Sequence, residues 1–224
     1  MITISGPVQL IKKSFAVFFK KENFVYFLKI YLIFLPAAVL SWAYNPSRGS
    51  VEAFLIANPV YILLVLLFTL IYLFLAFWVA ISVIIAMQRA VDGGELSYKN
   101  TYSTAWKYLG KYALLQIVIG PIIVIGFTLL IIPGLMFLIW FSFAGFELVT
   151  KGKGVRASIS GSRNLVKGRF WAVSGRFIVF GLFNILVQII FSLVPFGIGG
   201  VISTLFGGLM MLPAYLLYKE LTAQ

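Results

Sequence analysis

Residues 155–176 read VRASISGSRNLVKGRFWAVSGR, and this stretch decides how the chain is understood. It is a basic amphipathic helix that runs, through Lys167-Gly168-Arg169-Phe170-Trp171, straight into an apolar segment long enough to span a membrane. Weaker versions of the same arrangement stand at residues 5–24 and 96–112. The chain therefore reads as three rounds of one unit: interfacial helix, span out, span back. The units fall near residues 5–90, 96–150 and 155–220, within a single membrane domain covering residues 1–224.

Composition points the same way. The 224 residues are 62% hydrophobic and 11% charged, with mean hydropathy +1.04. Ordinary globular chains carry about 25% charge, and a water-soluble protein cannot hide so much apolar surface. Runs of about 20 residues with almost no charge can cross a hydrocarbon core as helix. They do not alternate as the strands of an outer-membrane barrel do. The expected class is all-α: a polytopic integral membrane protein with six transmembrane helices and three basic amphipathic interfacial helices.

The formal net charge is +12. In a soluble protein that would suggest nucleic acid. Here its distribution points to topology and anionic lipid instead, with no nucleic-acid partner. The absence of cysteine excludes disulfides and thiol chemistry and leaves the compartment open. The first residues, MITISGPVQLIKKSF, lack the pattern of a cleavable signal peptide.

Taken in order, Ser5-Gly6-Pro7 can start a helix. Val8, Ile11, Phe15 and Phe18 then share one face and Gln9, Lys12, Lys13 and Lys20 the other. Such a helix lies in the headgroup plane with its aromatics down, or packs on the protein's own spans, and both can hold. Spans are expected at residues 24–44 (kinked at Pro36), 60–87, 112–132, 135–149, 170–193 and about 200–218. Turns are expected at 45–50, at 131–134 and at 194–200. The second basic segment, residues 96–111, sets Tyr98, Tyr102, Ala105 and Leu109 against Lys99, Ser103, Lys107 and Lys111.

With the N-terminus cytoplasmic, Arg48 alone among the 18 Lys and Arg falls outside. The positive-inside rule then places both termini on the cytoplasmic side of the inner (cytoplasmic) membrane. In the sixth span Gly199, Ser203 and Gly207 repeat every four residues, and Gly200, Thr204 and Gly208 do so one step on. Small residues at this spacing let helix backbones approach closely in lipid, within the bundle or between two copies. Asn184 and Gln188 share a face of the fifth span that should point inward, as helix-to-helix glue or a substrate path. Lys29 and Arg176 stand just past the aromatics that open their spans. A cation there snorkels, pairs with Glu147, or draws a phosphate down to itself beside Lys167 and Arg169. These five residues form the candidate headgroup site.

One stretch carries a family resemblance. Ile132-Pro-Gly134, the following span, Gly152-Lys-Gly-Val155 and Ser158-Ile-Ser-Gly-Ser-Arg-Asn-Leu-Val-Lys-Gly-Arg-Phe-Trp171 resemble the membrane domain of some glycerophosphoryl diester phosphodiesterases and of related six-helix inner-membrane proteins. Ser158, Ile159, Ser162, Leu165 and Gly168 occupy the positions of that family's helix. Its usual acidic residue before the Gly-Lys-Gly turn is replaced here by Thr150 or Lys151, with Glu147 one turn earlier. The resemblance implies a membrane module. The phosphodiesterase chemistry of such proteins belongs to a separate soluble barrel that uses carboxylates and histidine, and this chain has no histidine.

An enzyme is not expected. General acid–base work wants a histidine or paired carboxylates, and metal catalysis wants clustered ligands. The chain offers only Glu22, Glu52, Asp92, Glu95, Glu147 and Glu220, scattered, so no metal or cofactor is expected. The favoured reading is a non-catalytic scaffold or accessory module that binds membrane phospholipid, preferably anionic. The alternative is a transporter or flippase-like protein for a lipid or other apolar substrate; it lacks the mid-span ionisable residues that usually mark such a path.

Overall fold

The computed structural model describes residues 4–34, 59–194 and 198–223, and among these it is helical without strands. In chain order the helices are α1 (Pro7–Phe18), α2 (Lys21–Tyr31, followed by a 3-10 turn Leu32–Phe34), α3 (Pro59–Asp92) and α4 (Tyr98–Leu129). They continue with α5 (Ile131–Phe141), α6 (Ala144–Lys151), α7 (Val155–Val166), α8 (Phe170–Ser192), α9 (Ile198–Leu205) and α10 (Gly207–Thr222). Four stretches are long and apolar enough to cross a membrane: Ile62–Asp92, Tyr98–Leu129, Ile131–Lys151 (α5 and α6 taken together) and Phe170–Ser192.

The organising stretch folds as expected from its residues. Gly152, at φ +63°, ends α6, and Gly168, at φ +80°, separates α7 from α8. A side chain at either place would meet the left-handed penalty that glycine avoids. Elsewhere the expected elements change. The second basic segment is not a separate interfacial helix: it and the third span form one helix, α4, of 32 residues. No glycine in the left-handed conformation interrupts it, and Ser97 caps its start by accepting from the Asn100 N–H at 3.4 Å.

The fourth span is broken at Ser142 and Phe143 into α5 and α6, and the sixth at Phe206 into α9 and α10. Gly207 and Gly208 are poor helix formers that sit at the second break. The expected turn at 131–134 falls one residue earlier, on the extended Leu130 (φ −162°, ψ 150°), so that Pro133 occupies the first turn of α5, where its missing N–H costs nothing. Of the first span, residues 35–44 with Pro36 lie outside the described residues. So do the turn at 45–50 with Arg48, the loop at 51–58 and residues 195–197 of the last turn.

Burial divides α3 into two halves. Residues 81–87 are all buried, surrounded by α2, α4, α6 and α10. Residues 62–74 are exposed on every side and uncharged. A helix that is apolar all round belongs in a core or in a bilayer, and this half has no core around it among the described residues. The far ends of α4 and α5 behave likewise, with Leu129, Leu130, Ile131 and Ile132 each about 70% exposed. The buried core gathers instead around Phe18, Phe27, Ile84, Leu115, Phe143, Leu148, Leu212 and Tyr215.

The helix α1 runs antiparallel to α10 and also touches α8. Ser5 meets Arg176 at its start, Phe15 meets Phe183 (ring centroids 5.9 Å apart) midway, and at its end Phe19 meets Phe206, which also meets Phe191. Glu220 of α10 stands at Ser5, and Phe206 stands at Phe18.

The α4–α5 hairpin depends on two facing glycines. A Cβ on Gly126 would stand 2.7 Å from the Phe137 ring and 3.0 Å from the Gly134 Cα, whereas one on Gly120 would meet nothing within 4 Å. Overpacking of this kind typically costs about 1–3 kcal/mol. Gly126→Val should therefore lower the unfolding temperature in detergent clearly, and Gly120→Ala should not.

Candidate functional site

The most heavily engaged polar group among the described residues is Glu147, on α6. It is 1% exposed. An isolated carboxylate cannot remain charged in such a place, so its oxygens need cations and donors. Three neighbours provide them. Lys151, one turn on in the same helix, reaches Oε1 at 2.8 Å, and Lys153 from the glycine-flanked turn pairs with Oε2. The Tyr218 hydroxyl donates to Oε1 at 2.9 Å and stands 3.1 Å from the Thr150 hydroxyl. Gly161 of α7 closes over the carboxylate: a Cβ there would lie 2.6 Å from Oε2. One carboxylate thus joins α6, the 152–154 turn, α7 and α10.

Beside it, α7 repairs the break between α5 and α6. Its buried face is small and polar, with Ser158 and Ser162 fully buried. The Ser162 hydroxyl donates to the Trp140 carbonyl at 2.7 Å and accepts from the Phe143 N–H at 3.1 Å. Those are two of the backbone groups that a helix break leaves without partners. Arg163, on the next position, lies over the Trp140 ring, 5.0 Å from its centroid.

Arg176 does not pair with Glu147. Its guanidinium donates from Nε to the Ser5 carbonyl and from Nη2 to the Ile4 carbonyl, both at 2.9 Å, and from Nη1 to Ala172 in its own helix. The same N-terminal residues are held from the other side. Glu220 Oε2 accepts from the Ser5 N–H at 2.9 Å, and Lys13 Nζ reaches the Ser5 hydroxyl at 3.2 Å and Glu220 Oε1 at 3.3 Å. Partial burial alone would raise the Glu220 carboxyl, but the Ser5 hydroxyl and N–H and the Lys13 ammonium outweigh it and hold the group below the usual carboxylate range.

The remaining expected residues are dispersed. Lys29 lies over the Tyr98 ring at 5.5 Å, and Lys167 and Arg169 are exposed on either side of Gly168. The five residues of the candidate headgroup site are therefore not brought into one pocket. Asn184 is half-buried and donates to the Phe180 carbonyl of its own helix at 3.0 Å, while Gln188 is exposed.

Of the small residues, Gly207 and Gly208 receive aromatic rings from α2. A Cβ would stand 2.8 Å from the Tyr31 hydroxyl and 2.9 Å from the Phe27 ring respectively. A Cβ at Gly199 would run into the Phe191 carbonyl, and one at Gly200 would meet nothing. The hydroxyls of Ser203 and Thr204 both return to the Gly200 carbonyl at 2.9 Å.

Sequence reasoning missed Tyr218, Ser162 and Gly161. The last two lie in the quoted stretch, and a serine–glycine–serine face on an otherwise basic helix was the available signal that something packs closely on it. Among the described residues no three His, Cys, Asp or Glu come together as a metal site. No family model, curated protein or solved structure matches the chain.

Two outcomes test this cluster. Glu147→Gln should destabilise the protein by about 1–3 kcal/mol, and Tyr218→Phe by less. Because they share one hydrogen bond, the double variant should lose less than the sum by more than about 0.5 kcal/mol, as read from denaturant unfolding in detergent. The Glu220 carboxyl has a lower pKa folded than unfolded. Its contribution is complete above the ordinary carboxylate value and disappears as pH falls through the folded one. Acidification below about pH 4 should therefore destabilise the wild-type chain more than Glu220→Gln, as measured by unfolding temperature against pH.

Proposed function

We propose that this protein is a non-catalytic, lipid-interacting scaffold of the cytoplasmic membrane, held in the bilayer by apolar helices and attached to anionic headgroups by exposed lysines and arginines. The observation that carries the reading is the exposed half of α3: residues 62–74 present apolar side chains in every direction, among them Leu63, Leu67, Leu70 and Ile71. A contiguous apolar surface of that extent needs acyl chains around it.

The cations are placed to meet headgroups. Lys12, Lys20, Lys21, Lys99, Lys107, Lys111, Arg156 and Lys167 are all exposed, and each lysine or arginine near an anionic leaflet contributes about 1 kcal/mol of attraction. The proposed orientation, with the N-terminus and these residues cytoplasmic, follows from the distribution of positive charge along the chain. Kinship with the membrane domain of the phosphodiesterase type is part of the same proposal and rests on residues 132–171.

Support for the absence of catalysis comes from the carboxylates. Glu147 is neutralised by two lysines, Glu220 is held by Ser5 and Lys13, and Asp92 pairs with Lys219. None of these three is left as a base facing a cleft.

The test is reconstitution of the purified chain into vesicles with and without phosphatidylglycerol. Anionic lipid should raise the unfolding temperature more than zwitterionic lipid does. Replacing Lys12, Lys20 and Lys21 together by Gln should remove about 3 kcal/mol of that preference at low salt. Movement of labelled lipid between leaflets above the empty-vesicle background would overturn the scaffold in favour of a transporter.

A further inference from the structure

We propose that Arg163, held over the Trp140 ring, is a defined contact for the phosphate of an anionic membrane lipid, with Lys167 as its second cation. This rests on the lipid-scaffold reading and adds to it one site on a surface whose other cations act as spread charge.

The buried or clamped arginines are already occupied. Arg89 donates to the Glu95 and Ser97 carbonyls and to the Thr101 hydroxyl, and Arg176 donates to the carbonyls of Ile4, Ser5 and Ala172. Arg163 differs. It is exposed, and its guanidinium lies 5.0 Å from the Trp140 ring centroid. Among the described residues no oxygen accepts from that guanidinium and no carboxylate pairs with it. No Asp or Glu occurs from residue 148 to residue 219, and Glu147 is neutralised by Lys151 and Lys153.

The ring beneath Arg163 is itself fixed. The Trp140 carbonyl accepts from the Ser162 hydroxyl at 2.7 Å, and its indole meets the Phe137 ring with centroids 5.8 Å apart. A cation over an indole is restrained by the ring's negative face. An arginine restrained in this way still presents a planar fork of N–H donors, which matches two phosphate oxygens at once. Lys167 follows one turn later on the exposed face that also carries Arg156 and Ser160.

Position then selects a lipid over a free ion. Helix α7 leaves the 152–154 turn and runs back along α6: Gly161 lies over Glu147, Ser162 reaches Phe143, and Arg163 reaches Trp140. From residue 139 to residue 170 no large apolar side chain is exposed. Beyond Trp140 toward the α4–α5 turn, Leu138, Leu135 and Ile132 are 40%, 49% and 71% exposed. At 1.5 Å per residue, Ile132 is about 12 Å past Trp140. Arg163 therefore stands where a polar surface gives way to an apolar one. A free phosphate ion would use only the first. A phospholipid uses both, with its phosphate on Arg163 and Lys167 and its acyl chains along the end of α5.

The test titrates the full-length protein, in neutral detergent with phosphatidylcholine, with increasing phosphatidylglycerol and follows the unfolding temperature to saturation. Arg163→Lys keeps the charge but loses the fork. It should raise the half-saturating concentration about tenfold, as expected for one hydrogen bond to a charged group, and Arg163→Gln should raise it at least as far. A wild-type midpoint in Arg163→Lys would mean that charge alone matters; it overturns the site and leaves the scaffold reading standing. No gain from phosphatidylglycerol over phosphatidylcholine in the wild type overturns the scaffold reading as well. Inorganic phosphate at matched concentration should neither stabilise the protein comparably nor displace the lipid, and doing either would make this a soluble-anion site and overturn the lipid assignment. A readout independent of stability is native mass spectrometry from the same detergent. Arg163→Lys should retain one phosphatidylglycerol fewer than the wild type, and equal retention overturns the site.

Discussion

A buried carboxylate has to be neutralised where it stands, and much of the polar architecture follows from that requirement at Glu147. Its partners come from three places in the chain, Lys151 from its own helix, Lys153 from the next turn and Tyr218 from α10, and Gly161 of α7 packs closely over it. None of these contacts is strong alone in a setting where Lys151 and Lys153 remain partly exposed and screened. Together they fix the spacing of α6, α7 and α10, because removing any donor leaves charge in an apolar place. The hydrophobic effect cannot do this between helices in lipid, where apolar faces meet apolar solvent. Directional polar contacts and close-packed glycines therefore determine which helix lies against which.

The same logic explains why α7 is both basic outside and small inside. Its outward positions carry Arg156, Arg163 and Lys167, and its inward ones carry Ser158, Gly161, Ser162 and Val166. Periodicity alone shows that such a helix has two faces, and that much was legible in residues 155–176. It does not show whether the inner face meets lipid or protein. The serines answer this in retrospect. A face meant for acyl chains has no use for hydroxyls, whereas Ser162 satisfies both the Trp140 carbonyl and the Phe143 N–H at a break in another helix. The break at Ser142–Phe143 was not legible, because no proline or glycine occupies it, Gly145 stands in helical conformation just after it, and its compensation lies 19 residues away.

Helical class and the long apolar runs could be read from composition, and α8 has almost the limits assigned to it. What failed was continuity. The chain contains three basic segments before apolar ones, and the same pattern gives a break at Gly168, a break at Phe19–Lys20 and no break at all within α4. A left-handed glycine accounts for the first. In α4, Gly110 stands at the corresponding place in helical conformation and nothing forces a turn there. The sixth span shows the reverse: its glycine repeat suggested a close helix contact, and Gly207 and Gly208 do take the rings of Tyr31 and Phe27. They do so at the price of helix propensity, so the span divides where it packs most tightly.

These breaks bear on what kind of membrane protein this can be. A transport path needs ionisable or polar groups lining a route between two leaflets. Among the described residues the polar contacts run sideways, from α8 to the N-terminal residues and from α10 to α1, α3 and α6. Asn184 spends its amide on its own helix. At the apolar ends of α3 and α4, the hydroxyls of Thr69 and Thr128 return to carbonyls of their own helices. On the scaffold proposal, the bare apolar end of α3 is what holds the molecule in a bilayer. On the same proposal, exposed cations such as Lys12 and Lys13 of α1 favour the leaflet whose headgroups carry negative charge.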